Sequence, residues 1–206
     1  MPGESFLRRF ERSLVIDQEK WRDGIGYDLD ALRAASAKER DAIESLLLAR
    51  GARDWRDVEA LAALDTPRSR KVLAEALKKG SAEVRLAVAR HAPSVGGDAD
   101  RIRSLVHALE TANLYGGLSQ AIDQAAELHP PAVVDALLRG ARERDGEAAV
   151  HFAALLFFIH GKSKEPFDWA HRPFFLRFAV PPGAERDAAF RDLCETIGAE
   201  AGRYLK

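Results

Sequence analysis

The stretch from Pro67 to His91, PRSRKVLAEALKKGSAEVRLAVARH, decides how the chain reads. Its first half places Val72, Leu73, Ala76 and Leu77 on one face of a helix, because residues three and four apart share a side of the helical cylinder. The run Lys78-Lys79-Gly80-Ser81 then breaks the pattern. Glycine suits a helix C-terminus and serine the N-cap of the next helix, so this run predicts a tight turn. A second, alanine-rich helix is expected from near Glu83.

A step of 32 residues repeats the pattern. Leu73 maps onto Leu105 and Leu137, Ala76 onto Ala108 and Gly140, Leu86 onto Leu118 and Val150, and Ala89 onto Ala121 and Ala153. Large apolar positions and small positions recur together, and small residues at fixed places let neighbouring helices approach closely. Pro67 returns two steps later as Pro131, at the first helical turn, where a missing N–H costs little. Helical hairpins are therefore expected at about 68–92, 100–128 and 132–160. An earlier one, at about 38–65, has Asp54 as its internal N-cap and its apolar residues (Ile43, Leu46, Leu47, Val58, Leu61, Leu64) out of strict register, as terminal repeats often are. A globular helical bundle is the competing arrangement.

The run VLAEALKKGSAEVRLAVARHA, with leucines on the first helix, a short polar turn and Val84-Arg85 opening the second, resembles a HEAT-like repeat. The resemblance spans residues 38–160 and is best in the second hairpin. It implies an all-α chain: a short HEAT-like α-solenoid of about four helical hairpins whose second helices line a concave face. The expected organisation is a single domain, 1–206, with an N-terminal cap (1–37), helical repeats (38–160) and a C-terminal cap (161–206). Such proteins often carry an arginine at the start of the second helix that ties repeats together. Arg85 fits, whereas positions 117 and 149 are Gly and Ala, which puts a continuous polar ladder in doubt.

Composition narrows the function classes. Hydrophobic residues make up 47% and charged residues 31%, as in ordered proteins. The 31 Lys+Arg nearly balance 32 Asp+Glu, leaving a net charge of -1, whereas nucleic-acid binders usually carry a basic excess. One cysteine, Cys194, allows no internal disulfide and no multi-cysteine metal site. The N-terminal residues interleave Arg8, Arg9 and Arg12 with Phe6, Leu7 and Phe10, unlike a signal peptide. The longest apolar run, Phe152 to Ile159, is too short for a membrane span. A cytoplasmic location is expected.

Both ends depart from the repeat. In DQEKWRDGIGYDLDALRAA (17–35), Trp21, Asp23, Tyr27, Asp28 and Asp30 cluster around two glycines. They form either a binding loop or an ordered turn whose aspartates cap a helix near Leu29; the spacing does not match a calcium loop. In GKSKEPFDWAHRPFFLRFAVPP (161–182), Phe167, Trp169, Phe174, Phe175 and Phe178 crowd among prolines. The alternation of Phe174, Leu176, Phe178 and Val180 allows a short extended piece. A closing helix at about 184–205 puts Phe190, Leu193, Cys194 and Ile197 on one face. Asp168, His171 and Arg172 beside Trp169 make a possible surface site.

No catalytic constellation is visible. Cys194 reads as a core thiol, and the six histidines are scattered, with none starting a His-Glu pair of the kind that iron hydroxylases built from HEAT-like repeats use. His151 and His160 lie too far apart for the usual helical metal pair. No phosphate-binding glycine loop and no nucleophile elbow are present. Arg68, Arg70, Lys71, Lys78 and Lys79 form a basic cluster, read first as a solvated face supported by the Glu75–Lys79 spacing.

The resulting expectation is a protein-binding module without catalytic residues, cofactor or metal, with one protein partner and no nucleic acid or membrane. Its narrower form is an immunity-type inhibitor of a bacterial toxin. Candidate contact residues are Trp21, Asp23, Tyr27, Asp28, Trp55, Glu59, Asp168, Trp169, His171 and Arg172. The alternative is a HEAT-like nucleic-acid binder or alkylpurine DNA glycosylase-like enzyme, using Trp55 with Asp57 or Glu59, or Asp168 with Trp169. A chromophore lyase or chaperone subunit of the same repeat class is a third possibility.

Overall fold

The structure, a computed structural model, describes residues 4–113 and 116–205. The chain is all-helical, with no strand among the described residues. It divides into two compact units, Met1–Arg101 and Ile102–Lys206.

The first unit holds α1 (Phe6–Ser13), α2 (Gln18–Arg22), α3 (Leu29–Ala34), α4 (Ala37–Arg50), α5 (Trp55–Leu64), α6 (Pro67–Lys79), α7 (Ala82–His91) and the single turn α8 (Pro93–Gly96). The sequence punctuates these helices closely. Ser5, Asp17, Asp28, Ser36, Asp54, Thr66 and Ser81 cap α1 to α7 in turn, each accepting from a backbone N–H of the first turn that has no partner within the helix. Ser36 and Thr66 make reciprocal capping boxes with Glu39 and Ser69. Gly80 ends α6 as expected, in extended backbone, and a Cβ there would stand 2.5 Å from the Ala76 carbonyl oxygen. Phe10, Leu32, Ile43, Leu47, Val58, Leu61, Leu73, Val84 and Val88 form the core of this unit. Helix α5 packs on α7, α4 on α6, and each of α4 and α6 on the helix that follows it.

Helix α9 (Asp98–Thr111) begins in the first unit and runs into the second. The second unit continues with α10 (Leu118–Glu127), α11 (Pro131–Glu143), α12 (Gly146–Ile159), the short turn α13 (Arg172–Phe175) and α14 (Ala184–Ile197). Residues 114 and 115, between α9 and α10 in the sequence, lie outside the described residues. Helix α12 is apolar on nearly every side and is covered by α10, α11, α13 and α14. Gly140 of α11 faces it so closely that a Cβ would lie 2.4 Å from the Phe152 ring, which explains the small residue there. Of the twelve positions related by 32, all are buried except Ala76, which is half-buried.

The C-terminal segment differs from expectation in two places. Residues 172–178 form helical turns, α13 and a 3-10 turn at Leu176–Phe178, instead of an extended piece. Pro173 starts a helix readily, and the buried pair Phe175 and Phe178 lies three residues apart, a helical spacing that leaves Leu176 of the expected alternation exposed. The closing helix stops at Ile197 because Gly198 takes a left-handed conformation (φ 76°), and only a short 3-10 turn, Ala201–Arg203, follows.

Arg85 makes no tie between repeats through its Nε, which is buried and meets no hydrogen-bond partner among the described residues. Other arginines bridge helices instead. Arg144 donates to the Leu109 and Ala112 carbonyls at 2.7 and 2.5 Å, closing the C-terminal end of α9. Arg186 of α14, fully buried, donates to the Arg142 and Arg144 carbonyls at 3.5 and 2.5 Å and to that of Val180. Both put a cation where a helix leaves unpaired carbonyls and the negative end of its dipole.

Candidate functional site

In the first unit the predicted contact residues divide between framework and surface. Tyr27 is buried, 6% exposed, with its hydroxyl donating to Asp57 at 3.0 Å and accepting from Arg50 at 3.0 Å. Burial first, then the Asp57 and Asp54 charges, push its pKa up to about 12, with Arg50 opposing. Asp57 is sealed, 0% exposed, and also takes the Arg53 amide (3.1 Å) and Arg50 Nε (3.2 Å). A carboxylate so enclosed cannot meet a substrate, which removes the Trp55–Asp57 pairing from base-excision chemistry. Asp23 pairs with Arg22 (2.9 Å), Asp30 with Arg33 (3.0 Å), and Asp28 caps α3 while binding Arg9 (2.6 Å). The aspartates are thus spent one by one, and no group of metal-binding side chains assembles among the described residues.

Trp21 is 52% exposed and Ile25, in the next turn, 49%. Trp55 and Glu59 stand together where Gly26 passes: a Cβ on Gly26 would be 3.3 Å from Glu59 Oε2 and 3.5 Å from the Trp55 ring. Arg56 lies over the Trp55 ring at 4.6 Å and donates to the Ile25 carbonyl at 2.7 Å. On α7, burial raises the Glu83 pKa, aided by Asp54, and lowers that of His91 against the Glu59 charge. The basic cluster is largely neutralised in place: Arg68 by Glu44 (3.3 Å), Arg70 by Asp65 (2.7 Å) and Lys79 by Glu75 (2.9 Å).

The second unit gathers the other four predicted residues into one surface. Asp168 caps the 3-10 turn Trp169–His171, accepting from the Ala170 amide at 2.9 Å; this bond, with the Lys164 amide and the nearby His171 and Lys164 charges, holds its carboxyl below the usual range. The turn leaves Trp169 69% exposed. Its ring meets Phe167 edge-on at 5.7 Å, and the Arg172 guanidinium lies over it at 5.4 Å. Phe167 and His171 rest in turn on Phe175, at 5.6 and 6.1 Å, and His171 on Phe157 at 5.5 Å, so the exposed tryptophan stands on a packed aromatic base. Leu176, in the 3-10 turn that follows α13, is 41% exposed.

A shallow groove of about 470 Å³, lined by His129, Pro131, Val134, Leu138, Arg203 and Tyr204, lies elsewhere in this unit and was not anticipated from sequence. Asp135 on its wall is already engaged by Tyr204 (2.8 Å), Arg139 (2.8 Å) and Arg203 (3.6 Å). Cys194 is buried, and burial raises its thiol to about pKa 11, which removes it as a nucleophile near neutrality.

Tyr204, like Tyr27, is pushed up to about 12, by burial and then by its bond to Asp135. An unfolded tyrosine loses its proton near pH 10. Both groups therefore favour the folded state below pH 10 and lose that contribution as pH climbs from 10 to 12. Absorbance titration should find two of the three tyrosines ionising about two pH units late, with unfolding in the same window; midpoints near 10 in folded protein would refute this. The two rings report separately on the two units.

No family model, curated protein or solved structure matches the chain. Among the described residues no helix is long and apolar enough to cross a membrane.

Proposed function

We propose that this chain is a non-catalytic protein-binding module whose principal contact is the Trp169 surface. The carrying observation is Trp169 itself: a large apolar ring, 69% exposed, fixed by Phe167 at its edge and Arg172 on its face. Tryptophan and arginine dominate the energetics of protein interfaces, and a side chain already held in place loses little entropy on binding. The net charge of -1 weighs against a polyphosphate partner.

The scaffold in this reading is a HEAT-like stack of about four helical hairpins. Within the first unit, α5 against α7 and α4 against α6 is the neighbour relation of stacked repeats; within the second, α12 packs on both α10 and α11. The narrower form is an immunity-type inhibitor that neutralises one cognate toxin in a one-to-one complex, for which a rigid aromatic anchor is suited.

Affinity capture from the native host with tagged wild type and Trp169→Ala tests the reading. One stoichiometric protein should co-purify with wild type, and Trp169→Ala should weaken its retention at least about tenfold. The substitution removes an exposed ring, so the melting temperature should hold to within a few degrees. Undiminished capture by Trp169→Ala would remove this surface from the interface, and recovery of nucleic acid alone would overturn the module.

A further inference from the structure

We infer that the Trp169 surface recognises a carboxylate, set beside an apolar residue, in an acidic segment of its protein partner. This rests on Trp169 being the docking point and adds what docks there.

The inference follows from which hydrogen-bonding groups of the surface are already used. Two arginines of this segment lie over aromatic rings at the same distance, Arg172 over Trp169 and Arg177 over Phe174, both at 5.4 Å. Arg177 has its carboxylate within the chain, Asp192 at 2.7 Å. Arg172 is exposed and makes no ion pair with any carboxylate among the described residues. The nearest acid in sequence, Asp168, is occupied by the Ala170 and Lys164 amides at 2.9 and 3.5 Å. The Trp169 indole N–H likewise meets no acceptor among the described residues, with its ring held by Phe167 and Arg172. The surface thus presents an unused guanidinium fork and an indole donor, and its one adjacent acceptor is spent, so a complementary partner supplies acceptors. A guanidinium matches a carboxylate in a two-pronged geometry, and its position over the ring pre-orients it for that contact. The Trp169 ring, braced by Phe167, supplies the apolar contact.

Charge selects the source. Residues 161–172 carry three cations, Lys162, Lys164 and Arg172, against Glu165 and Asp168, so the local excess is a single positive charge. One charge suits an isolated side-chain carboxylate. It is too little to bind a phosphate backbone, whose affinity comes from neutralising several phosphates at once.

The test is a titration followed by nitrogen-15 NMR, reading the Trp169 indole cross-peak, identified by its loss in Trp169→Phe. The probes are a short capped peptide with a central leucine flanked by glutamates, the same peptide with glutamines, and an oligothymidylate of similar length. The glutamate peptide should bind about three- to fivefold more tightly than the glutamine peptide, as one solvent-exposed ion pair allows. Arg172→Gln should abolish that preference, Arg172→Lys should restore part of it, and added salt should erode it. Equal binding of the two peptides, no shift with either, or a preference that survives Arg172→Gln overturns the carboxylate inference. An oligothymidylate that binds more tightly than the glutamate peptide overturns it in favour of nucleic acid. The underlying reading fails separately, if Trp169→Ala leaves capture of the native partner unchanged.

Discussion

Arg186→Met is expected to destabilise the C-terminal unit by roughly 3 to 5 kcal/mol. Methionine recovers most of the packing of the arginine stem, and losing the buried charge relieves its desolvation cost. Burial pulls the Arg186 pKa below its usual value, with the Asp145 charge opposing, and its Nε has no partner among the described residues, so the charge is held at some expense. Set against that relief are the carbonyls of Arg142, Arg144 and Val180, which lose their charge-assisted donor. Each buried acceptor left unmade costs about 1 to 3 kcal/mol, so the losses outweigh the gain. The loop Arg186 holds is also pressed against the start of α12: a Cβ on Gly146 would stand 2.2 Å from the Ala179 carbonyl oxygen. Gly146→Ala should therefore cost about 1 to 3 kcal/mol by forcing backbone apart. Urea denaturation gives the energies, and hydrogen exchange should show protection lost around residues 142–146 and 179–186. A change below about 1 kcal/mol for Arg186→Met would mean that water replaces the guanidinium and that the tie is incidental.

Neither Arg186 nor Arg144 was legible in the sequence. Their partners are backbone carbonyls, which leave no residue signature, and Arg186 sits between Glu185 and Asp187 at the start of the expected closing helix, where a charged residue gives no sign of burial. Helix positions were legible for the opposite reason. Capping is a local exchange between one side chain and an amide three residues on, so Asp54, Ser81 and Asp28 announced α5, α7 and α3 directly. The burial of Leu73, Leu105 and Leu137 followed from periodicity alone. The candidate site was half legible. The crowding of Asp168, Trp169, His171 and Arg172 was plain in the sequence, but which ring the fold would cover depends on the turn at 172–178. There the alternation of Phe174, Leu176, Phe178 and Val180 suggested a strand, and prolines with buried Phe175 and Phe178 produced helical turns. Tyr27 misled because a tyrosine among glycines and aspartates resembles a surface loop. Its partners Arg50 and Asp57 lie 23 and 30 residues away, beyond the reach of local pattern.

That distant network carries the second large effect. Asp57→Asn is expected to cost about 2 to 4 kcal/mol in the first unit, although it changes no volume. Asp57 accepts from three donors: the Tyr27 hydroxyl, Arg50 Nε and the Arg53 amide. An amide replaces one acceptor oxygen with an NH2 that must face one of those donors, and it withdraws the negative charge that offsets Arg50. Tyr27→Phe should cost less, about 1 kcal/mol, because Asp57 keeps two partners. The double variant should fall short of the sum, since both changes break the same bond. The alkaline titration supplies an independent check. Burial raises the Tyr27 pKa first, and the Asp57 charge and hydrogen bond raise it further, while Arg50 lowers it. In Asp57→Asn the last influence persists and the middle two are gone, so Tyr27 should ionise closer to pH 10 while Tyr204, in the other unit, stays near 12. A Tyr27 midpoint unmoved by Asp57→Asn would show that burial and the Asp54 charge set it without Asp57. The carboxylate would then be a filled space in the core and not the clasp that fixes the turn bearing Ile25 and Gly26 beside Trp55.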